Sequence, residues 1–412
     1  MSRQNRVLMV FNAKVNERKQ QLKKHGRGAI PYSDYIALTE NVDVDYIDRE
    51  TIDSILWAKL VRRFLGYMMA LVLVAFVKSR KYDTIYADCE PIGLPLAFLF
   101  KLSKSKKRLL FIAHWLTPFS RTVFLDYLKV QKQIDTVFVH TLAQQTVAIA
   151  RCGFASKQIQ LIPYQIDTEF WSQQAYETQL AKENRSRPVP EKPYICSAGL
   201  ECRDYGTLIK AIEGLDIELK LAVGSHWSNT TGAGLEGELP PNVKVKFYNY
   251  TELRELYANA ALVVVPTRDV DHAAGITVIL EAMGMGKTVI STRSVGQSDV
   301  INDKRSHSRG DFKRISISTF LRMFASDELS DLQTGFYVNP GEVEEMRRSI
   351  VHLMENPEKA KQIGRNANLV VNEVMTVGHF KDRVLAHVIG STYVADTRVG
   401  TNPELFREAV ML

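Results

Sequence analysis

The chain has 412 residues, 45% hydrophobic and 24% charged, a globular composition long enough for two domains. Its four cysteines, Cys89, Cys152, Cys196 and Cys202, stand apart with no C-x-x-C pair, which argues against a disulfide framework or a zinc site and for a reducing, cytosolic location. The net charge of +7 is uneven: residues 1–172 carry 25 Lys and Arg against 15 Asp and Glu, a net of +10 that leaves −3 for the remainder.

In chain order, Val7 to Phe11 reads as a first strand, too short for the core of a signal peptide. A helix is predicted from about Ser54 to Lys78. It contains the apolar run FLGYMMALVLVAFV, Phe64 to Val77, between Arg62 and Arg63 on one side and Lys78, Arg80 and Lys81 on the other. Fourteen residues at ~1.5 Å each reach about 21 Å, short of the ~30 Å hydrocarbon core of a bilayer. The run therefore predicts a helix buried against a sheet, with a re-entrant or interfacial helix as the alternative. Thr84 to Ala87, a helix from about Gly93 to Leu102, Leu109 to His114 and Thr136 to His140 continue an alternation that implies a parallel, doubly wound sheet. Basic clusters at Arg18, Lys19, Lys23, Lys24 and Arg27, and at Lys101, Lys104, Lys106, Lys107 and Arg108, suit an anionic membrane surface or a solvated face. They lack the interleaved aromatics that single-stranded nucleic acid would need, so no nucleic-acid partner is expected.

Residues 173–193, polar and with three prolines, read as a linker between a domain at 1–172 and one at 194–377. The second domain repeats the α/β alternation. Its most informative stretch is ALVVVPTRDVDHAAGITVILEAMGMGKTVI, Ala261 to Ile290. Ala261 to Val265 is a short β-branched run closed by Pro266, as in a strand buried on both faces. Gly275 opens a helix whose first N–H groups, those of Ile276 and Thr277 among them, can hold a diphosphate, with the Thr277 hydroxyl in the first turn. Glu281 follows one and a half turns later, within reach of a ribose beyond the phosphates, or else is a surface glutamate of an ordinary βαβ unit. Gly284 and Gly286 end the helix, and Thr288 to Ser291 make the next strand. Residues 303–331 look like an insertion, and a helix near His379 to Ile389 within a tail at 378–412 is expected to cross back to the first domain.

Several segments together resemble the retaining glycosyltransferases of family 4. IPYQIDTEFW (Ile162 to Trp171) is similar to the family's interdomain signature, and ICSAGLECRDYGTLIKA (Ile195 to Ala211) to the strand, phosphate-binding basic residue and helix that open its C-terminal domain. TELRELYANAALVVVPT (Thr251 to Thr267), LEAMGMGKTVIST (Leu280 to Thr292) and GFYVNPGEVEEMRRSIVHLMENPEKAKQIGRNA (Gly335 to Ala367) resemble the elements around and after the donor nucleotide. The resemblance implies the GT-B fold, two Rossmann-like doubly wound parallel-sheet domains facing across a cleft. It implies transfer of a hexose from a nucleoside diphosphate sugar with retention of configuration, through front-face attack in which the leaving phosphate takes the acceptor proton. No metal and no cofactor beyond the donor are then expected. The basic N-terminal half would hold a lipid-linked or glycan acceptor, on a cytoplasmic protein peripheral to the inner face of the membrane.

The resemblance makes Arg203 the phosphate-binding cation, in the place of a family lysine and able to offer a bidentate fork. Arg268 could fill the gap left by the family's accompanying arginine, absent because the loop Gly199 to Arg203 is short. His114, in AHW where the family has a VHD-like pattern, could bond the sugar hydroxyls or orient the donor. His140 reads as a core histidine. Asp88 and Glu90, in YADCEPIG, are candidates for the acceptor hydroxyl or for a helix cap. Two departures stand out. The glycine-rich loop after the first strand is replaced by Asn12-Ala13-Lys14-Val15-Asn16-Glu17, and the first glutamate of the family's E-x7-E motif falls on Ala273, where Asp271 or His272 could substitute. These departures motivate one alternative, a degenerate, non-catalytic binding subunit; the other, a nucleotide-sugar epimerase or hydrolase of the same fold, is disfavoured by the interdomain and Glu281 segments, which resemble the transferases.

Overall fold

The computed structural model describes residues 5–40, 44–223, 235, 238–297, 300–304 and 321–390. They form two compact units, one from residues 5–26, 32–164 and 377–390, the other from 27–31 and 165–376.

Unit 1 is built on six parallel strands: β1 (Val7–Val10), β2 (Val44–Ile47), β3 (Thr84–Ala87), β4 (Arg108–Ile112), β5 (Thr136–Val139) and β6 (Ile159–Leu161), in the order β2-β1-β3-β4-β5-β6. Val7 lies opposite both Val44 and Thr84, which sets the register at the point where the strand order reverses. All four residues of β1 and of β3 are buried, as expected for strands covered on both faces. The helix Val377–Ile389 belongs to this unit, and its Phe380, Val384, Leu385 and Val388 join Met9, Tyr86 and Phe138 in one core. The rest of the expected tail lies outside the described residues.

The helix expected over 54–78 is instead three pieces. Asp48 caps Arg49–Ser54 through a capping box with Thr51, and Ile55 is extended. The longer helix Leu56–Lys78 is then broken at Gly66, whose φ of 80° and ψ of 172° no helix contains. Its second half is buried at Ala70, Leu71, Val72, Val74 and Ala75, whereas the first half buries Ala58 alone. The apolar run thus neither forms one continuous rod nor lies wholly in the core.

Unit 2 carries β7 (Tyr194–Ala198), β8 (Glu218–Ala222), β9 (Val243–Lys246), β10 (Leu262–Val265), β11 (Val289–Thr292) and β12 (Gly335–Val338), all parallel in the order β12-β11-β10-β7-β8-β9. The stretch read as a linker holds the helix Gln173–Lys182, capped by Ser172 and burying Tyr176 and Leu180, and it lies inside unit 2, which starts at Gln165. Its polar residues cover the outward side of a helix rather than a free tether. Asn302 closes the base of the expected insertion by donating to the carbonyls of Ser330 (3.0 Å) and Leu332 (2.8 Å); residues 305–320 lie outside the described residues.

The segment before this helix is a packing hub. Trp171 is 1% exposed and its carbonyl sits where a Cβ on Gly284 would come to 2.8 Å, so Gly284 allows the helix Ile276–Gly284 to close on it. Arg254, on the helix Tyr250–Asn259, is fully buried, stacks on Phe170 at 4.3 Å and donates to the Phe170 carbonyl (3.2 Å) and to Gln179 Oε1 (2.7 Å). Its removal leaves those acceptors unpaired around a cavity. Arg254→Ala is expected to lower unfolding stability by about 2–4 kcal/mol, measured by denaturant unfolding; a change near zero would show that the site collapses or fills with water.

Candidate functional site

The strand order of unit 2 reverses between β7 and β10, and in open α/β sheets ligands bind outside the carboxyl ends of strands at such a point. The loops leaving those two strands are sewn together: Arg203 pairs with Thr267, the Arg268 N–H donates to the Cys202 carbonyl (2.9 Å) and the Asp204 N–H to the Pro266 carbonyl (3.0 Å). Arg203 is 4% exposed. Its Nε donates to the Ala198 carbonyl and its Nη1 to the Glu201 carbonyl, both at 2.9 Å, so the guanidinium is held by the strand end it follows.

Two glycines make room for it. A Cβ on Gly199 would come to 2.5 Å from Nη2, and one on Gly275 to 3.2 Å from Nη1 and 2.8 Å from Val265 Cγ1. Gly275 has φ 86° and caps the helix Ile276–Gly284 in the left-handed region. The arginine charge and the positive end of the helix therefore meet at one spot, a ready-made anion site. Ile276 is buried, and the exposed Thr277 stands beside it in the first turn.

Glu281 lies on the same helix, 7% exposed, and accepts a hydrogen bond from Tyr257 Oη (3.0 Å). Burial pushes its pKa up to about 8, against the opposing pull of the Tyr257 hydroxyl and the Arg203 charge. Tyr257, missed from sequence, had only its place in a resembling segment to announce it. Gln297 was missed as well. Its amide donates to Thr267 Oγ1 (3.2 Å) and to the Ala274 carbonyl and accepts from Ser291 Oγ (2.9 Å), which clamps both ends of the loop 268–274.

On that loop Arg268 and Asp271 are exposed, and His272 turns toward Cys202 Sγ (3.9 Å) and Glu201 Oε1 (3.8 Å). Glu201, Cys202 and His272 each bring a ligand atom within 4.8 Å of the others, a donor set a transition metal could use. Arg203, Arg268, Asp271, His272, Gly275, Ile276, Thr277 and Glu281 thus all fall on the two joined loops and the helix after them.

The candidates of unit 1 gather at its own reversal point, between β1 and β3. Asp88 Oδ2 accepts the Asn12 N–H (2.6 Å), and burial raises Asp88 to about 6 although Asn12, Cys89 and His114 oppose the shift. The replaced glycine loop is therefore tied down by side chains, with Asn12 Oδ1 also taking the Arg49 Nε–H (2.9 Å). Glu90 is 3% exposed, accepts the His114 N–H (3.0 Å) and pairs with Arg121 Nε (3.5 Å), so its carboxylate braces the strand end. His114 lies two residues past β4, exposed, its Nε2 3.3 Å from the Asp88 carbonyl. His140 behind it is 2% exposed, bonded to the Ile162 carbonyl (3.1 Å) and depressed by burial to about 3, a neutral core histidine.

Two doubly wound parallel-sheet units with these connections are the GT-B fold of glycosyltransferases. Residues 206–356, within unit 2, match the family described as Glycosyl transferases group 1. Among solved structures, it is similar to Alr3699/HepE from Anabaena in complex with UDP and glucose (16% identity, 93% of this chain and 99% of that one, TM-score 0.60). It is also similar to a glycosyltransferase from Rickettsia africae (14%, 94% and 99%, TM-score 0.61) and to sucrose-phosphate synthase from Thermosynechococcus elongatus (16%, 99% and 100%, TM-score 0.58). No curated protein matches the sequence.

The buried Glu281 makes stability depend on pH. The folded carboxyl titrates near 8 and the unfolded one near 4.5, so the folded chain holds an extra proton between these values and loses stability as pH rises through that window. Glu281→Gln is expected to flatten the decline in melting temperature between those two pH values; an unchanged slope would place the carboxyl in water.

Proposed function

We propose that this protein is a retaining glycosyltransferase that moves a hexose from a nucleoside diphosphate sugar to a membrane-associated or cell-envelope acceptor, lipid-linked or glycan. It would work in the cytoplasm, peripheral to the inner face of the membrane and without a metal ion. The observation that carries the reading is the Arg203 guanidinium beneath Gly275 at the start of the helix that bears Glu281. The names of similar structures support the donor class: one Anabaena complex holds UDP-glucose, and a Burkholderia xenovorans relative is a UDP-forming trehalose-phosphate synthase.

In this mechanism the diphosphate lies against the N–H groups of Ile276 and Thr277, with Arg203 below and Arg268 beside it. Charge on the departing phosphate grows as the glycosidic bond breaks, and a fixed cation and helix end stabilise it without reorganising. The same phosphate oxygen takes the acceptor proton, so no enzyme base is needed for that transfer. Glu281 accepts the ribose hydroxyls as a carboxylate. Asp271 or His272 contacts the sugar in place of the glutamate missing at Ala273, and His114 and Asp88 serve the sugar and acceptor side.

Thermal-shift measurements with UDP, GDP, ADP and their sugars test the donor class, since a ligand stabilises by RT ln(1 + [L]/Kd). One nucleotide should raise the melting temperature, and its affinity should climb as pH rises toward 8, because ribose hydroxyls favour the ionised Glu281 and binding releases its proton. Glu281→Ala should weaken that nucleotide by about 1.5–3 kcal/mol, roughly 10- to 100-fold in Kd. No shift with any nucleotide would sink the donor reading.

Arg203 calls for a different variant. Alanine would strip the Ala198 and Glu201 carbonyls of their donor, so Arg203→Lys, which keeps the charge and loses the fork, separates chemistry from folding. It should lower kcat about tenfold or more with a smaller change in KM, since the fork acts most on the phosphate charge of the transition state. A pure KM effect would make Arg203 a ground-state anchor.

A further inference from the structure

The first half of the broken helix, Leu56 to Leu65, leaves large apolar side chains in water. Leu56 is 84% exposed, Phe64 74%, Leu65 64%, Leu60 60% and Trp57 43%, while Ala58 on the opposite side is buried. Leu56, Leu60 and Phe64 follow at i, i+4 and i+8, so with Trp57 they form one stripe, and the exposed cations Lys59 and Arg63 border it. From Ile55 to Tyr82 the chain has no acidic residue. The root of this arm is fixed: Arg62 pairs with Asp53, Tyr67 Oη donates to Asp53 Oδ2 (3.0 Å), and the Arg49 and Arg62 guanidinia lie over the Tyr67 ring, each at 5.1 Å.

The break at Gly66 decides what the arm can do. As one rod, Leu56–Lys78 would be 23 residues and long enough to cross a bilayer. Split at Gly66 by its positive φ, its halves reach only about 15 and 18 Å, and the second is held in the core of unit 1. A short, exposed helix with an apolar stripe, a tryptophan and basic borders is suited to lie in the plane of a membrane interface, its lysine and arginine stems reaching up to anionic headgroups.

We infer that Leu56 to Leu65 is a monotopic docking element that inserts Leu56, Trp57, Leu60 and Phe64 into an anionic lipid surface. The inference rests on the membrane-associated acceptor proposed above and names the element that meets the membrane. It also shifts weight away from the basic cluster at 101–108, where Lys101 donates to the Leu128 carbonyl (2.8 Å), Lys107 to that of Tyr82 and Arg108 to that of His387 (3.0 Å). Those charges tether loops of unit 1, whereas Lys59 and Arg63 stand at the edge of an apolar face.

The test is flotation of the full chain with vesicles of phosphatidylcholine alone and of phosphatidylcholine with phosphatidylglycerol, for the wild type, Leu56→Ser/Leu60→Ser/Phe64→Ser and Trp57→Phe. The three serines replace exposed residues, so melting temperature and nucleotide affinity should be unchanged and report that the fold is intact. The wild type should bind the anionic vesicles and keep part of its binding in high salt, because insertion is not screened. The triple variant should lose about tenfold or more in partitioning, the loss of roughly 1.4 kcal/mol of burial. Brominated acyl chains should quench wild-type tryptophan fluorescence more than that of Trp57→Phe. If wild type and triple variant bind alike, the docking element is refuted while the membrane-associated acceptor stands. If the wild type binds neither vesicle, both fall together and a soluble acceptor takes their place.

Discussion

Arg203 carries a full positive charge with 4% of its surface exposed, and a cation so placed needs both hydrogen-bond acceptors and space. The end of β7 and the loop after it supply the first through the carbonyls of Ala198 and Glu201, and the absent side chains of Gly199 and Gly275 supply the second. Much of unit 2 follows from this. The loops after β7 and β10 pair with one another, the helix Ile276–Gly284 starts where the guanidinium lies, and Gln297 fixes the two ends of the intervening loop. The same buried charge pulls on Glu281 and tempers the rise that burial imposes on that carboxyl.

The two units use the same topological device for different local chemistry. Each sheet reverses its strand order once next to its first strand, and the candidate residues of each unit lie beyond the carboxyl ends at that reversal. In unit 2 the crevice is cationic and opens on a helix N-terminus. In unit 1 it is lined by Asp88 and Glu90 and closed by side-chain bonds from Asn12 and Arg49 rather than by a glycine loop. A diphosphate suits the first crevice, and a hydroxyl-bearing acceptor suits the second, in keeping with the proposed division of labour.

Glycine decides outcomes at sites that look alike in one-letter code. Gly275 is needed because its φ is positive and because a guanidinium lies under it. Gly66 meets nothing within 4 Å of an added Cβ, so only its φ of 80° matters, and there it breaks a helix that hydropathy alone would continue. The apolar run at 64–77 reads as one object in sequence because hydropathy has no term for that dihedral angle.

The sequence by itself determined the alternation of strands and helices in both halves, most strand positions to within a residue or two, the parallel sheets, and the Gly275, Thr277, Glu281 frame, because these follow from local periodicity and from helix rise. It also marked Arg203 through the shared pattern of strand, basic residue and helix. Only the tertiary structure decided that Glu281 is buried against Tyr257, that Gln297 clamps the loop 268–274, that Glu90 braces a strand end, and that the polar stretch after Ser172 is a helix within unit 2. Each of these depends on which distant residue packs against a side chain: Tyr257 meets Glu281 across 24 positions and Gln297 meets Thr267 across 30. Periodicity reports the neighbours along an element, whereas burial, and the pKa and pairing that come with it, are set by contacts the chain makes only after its sheets have formed.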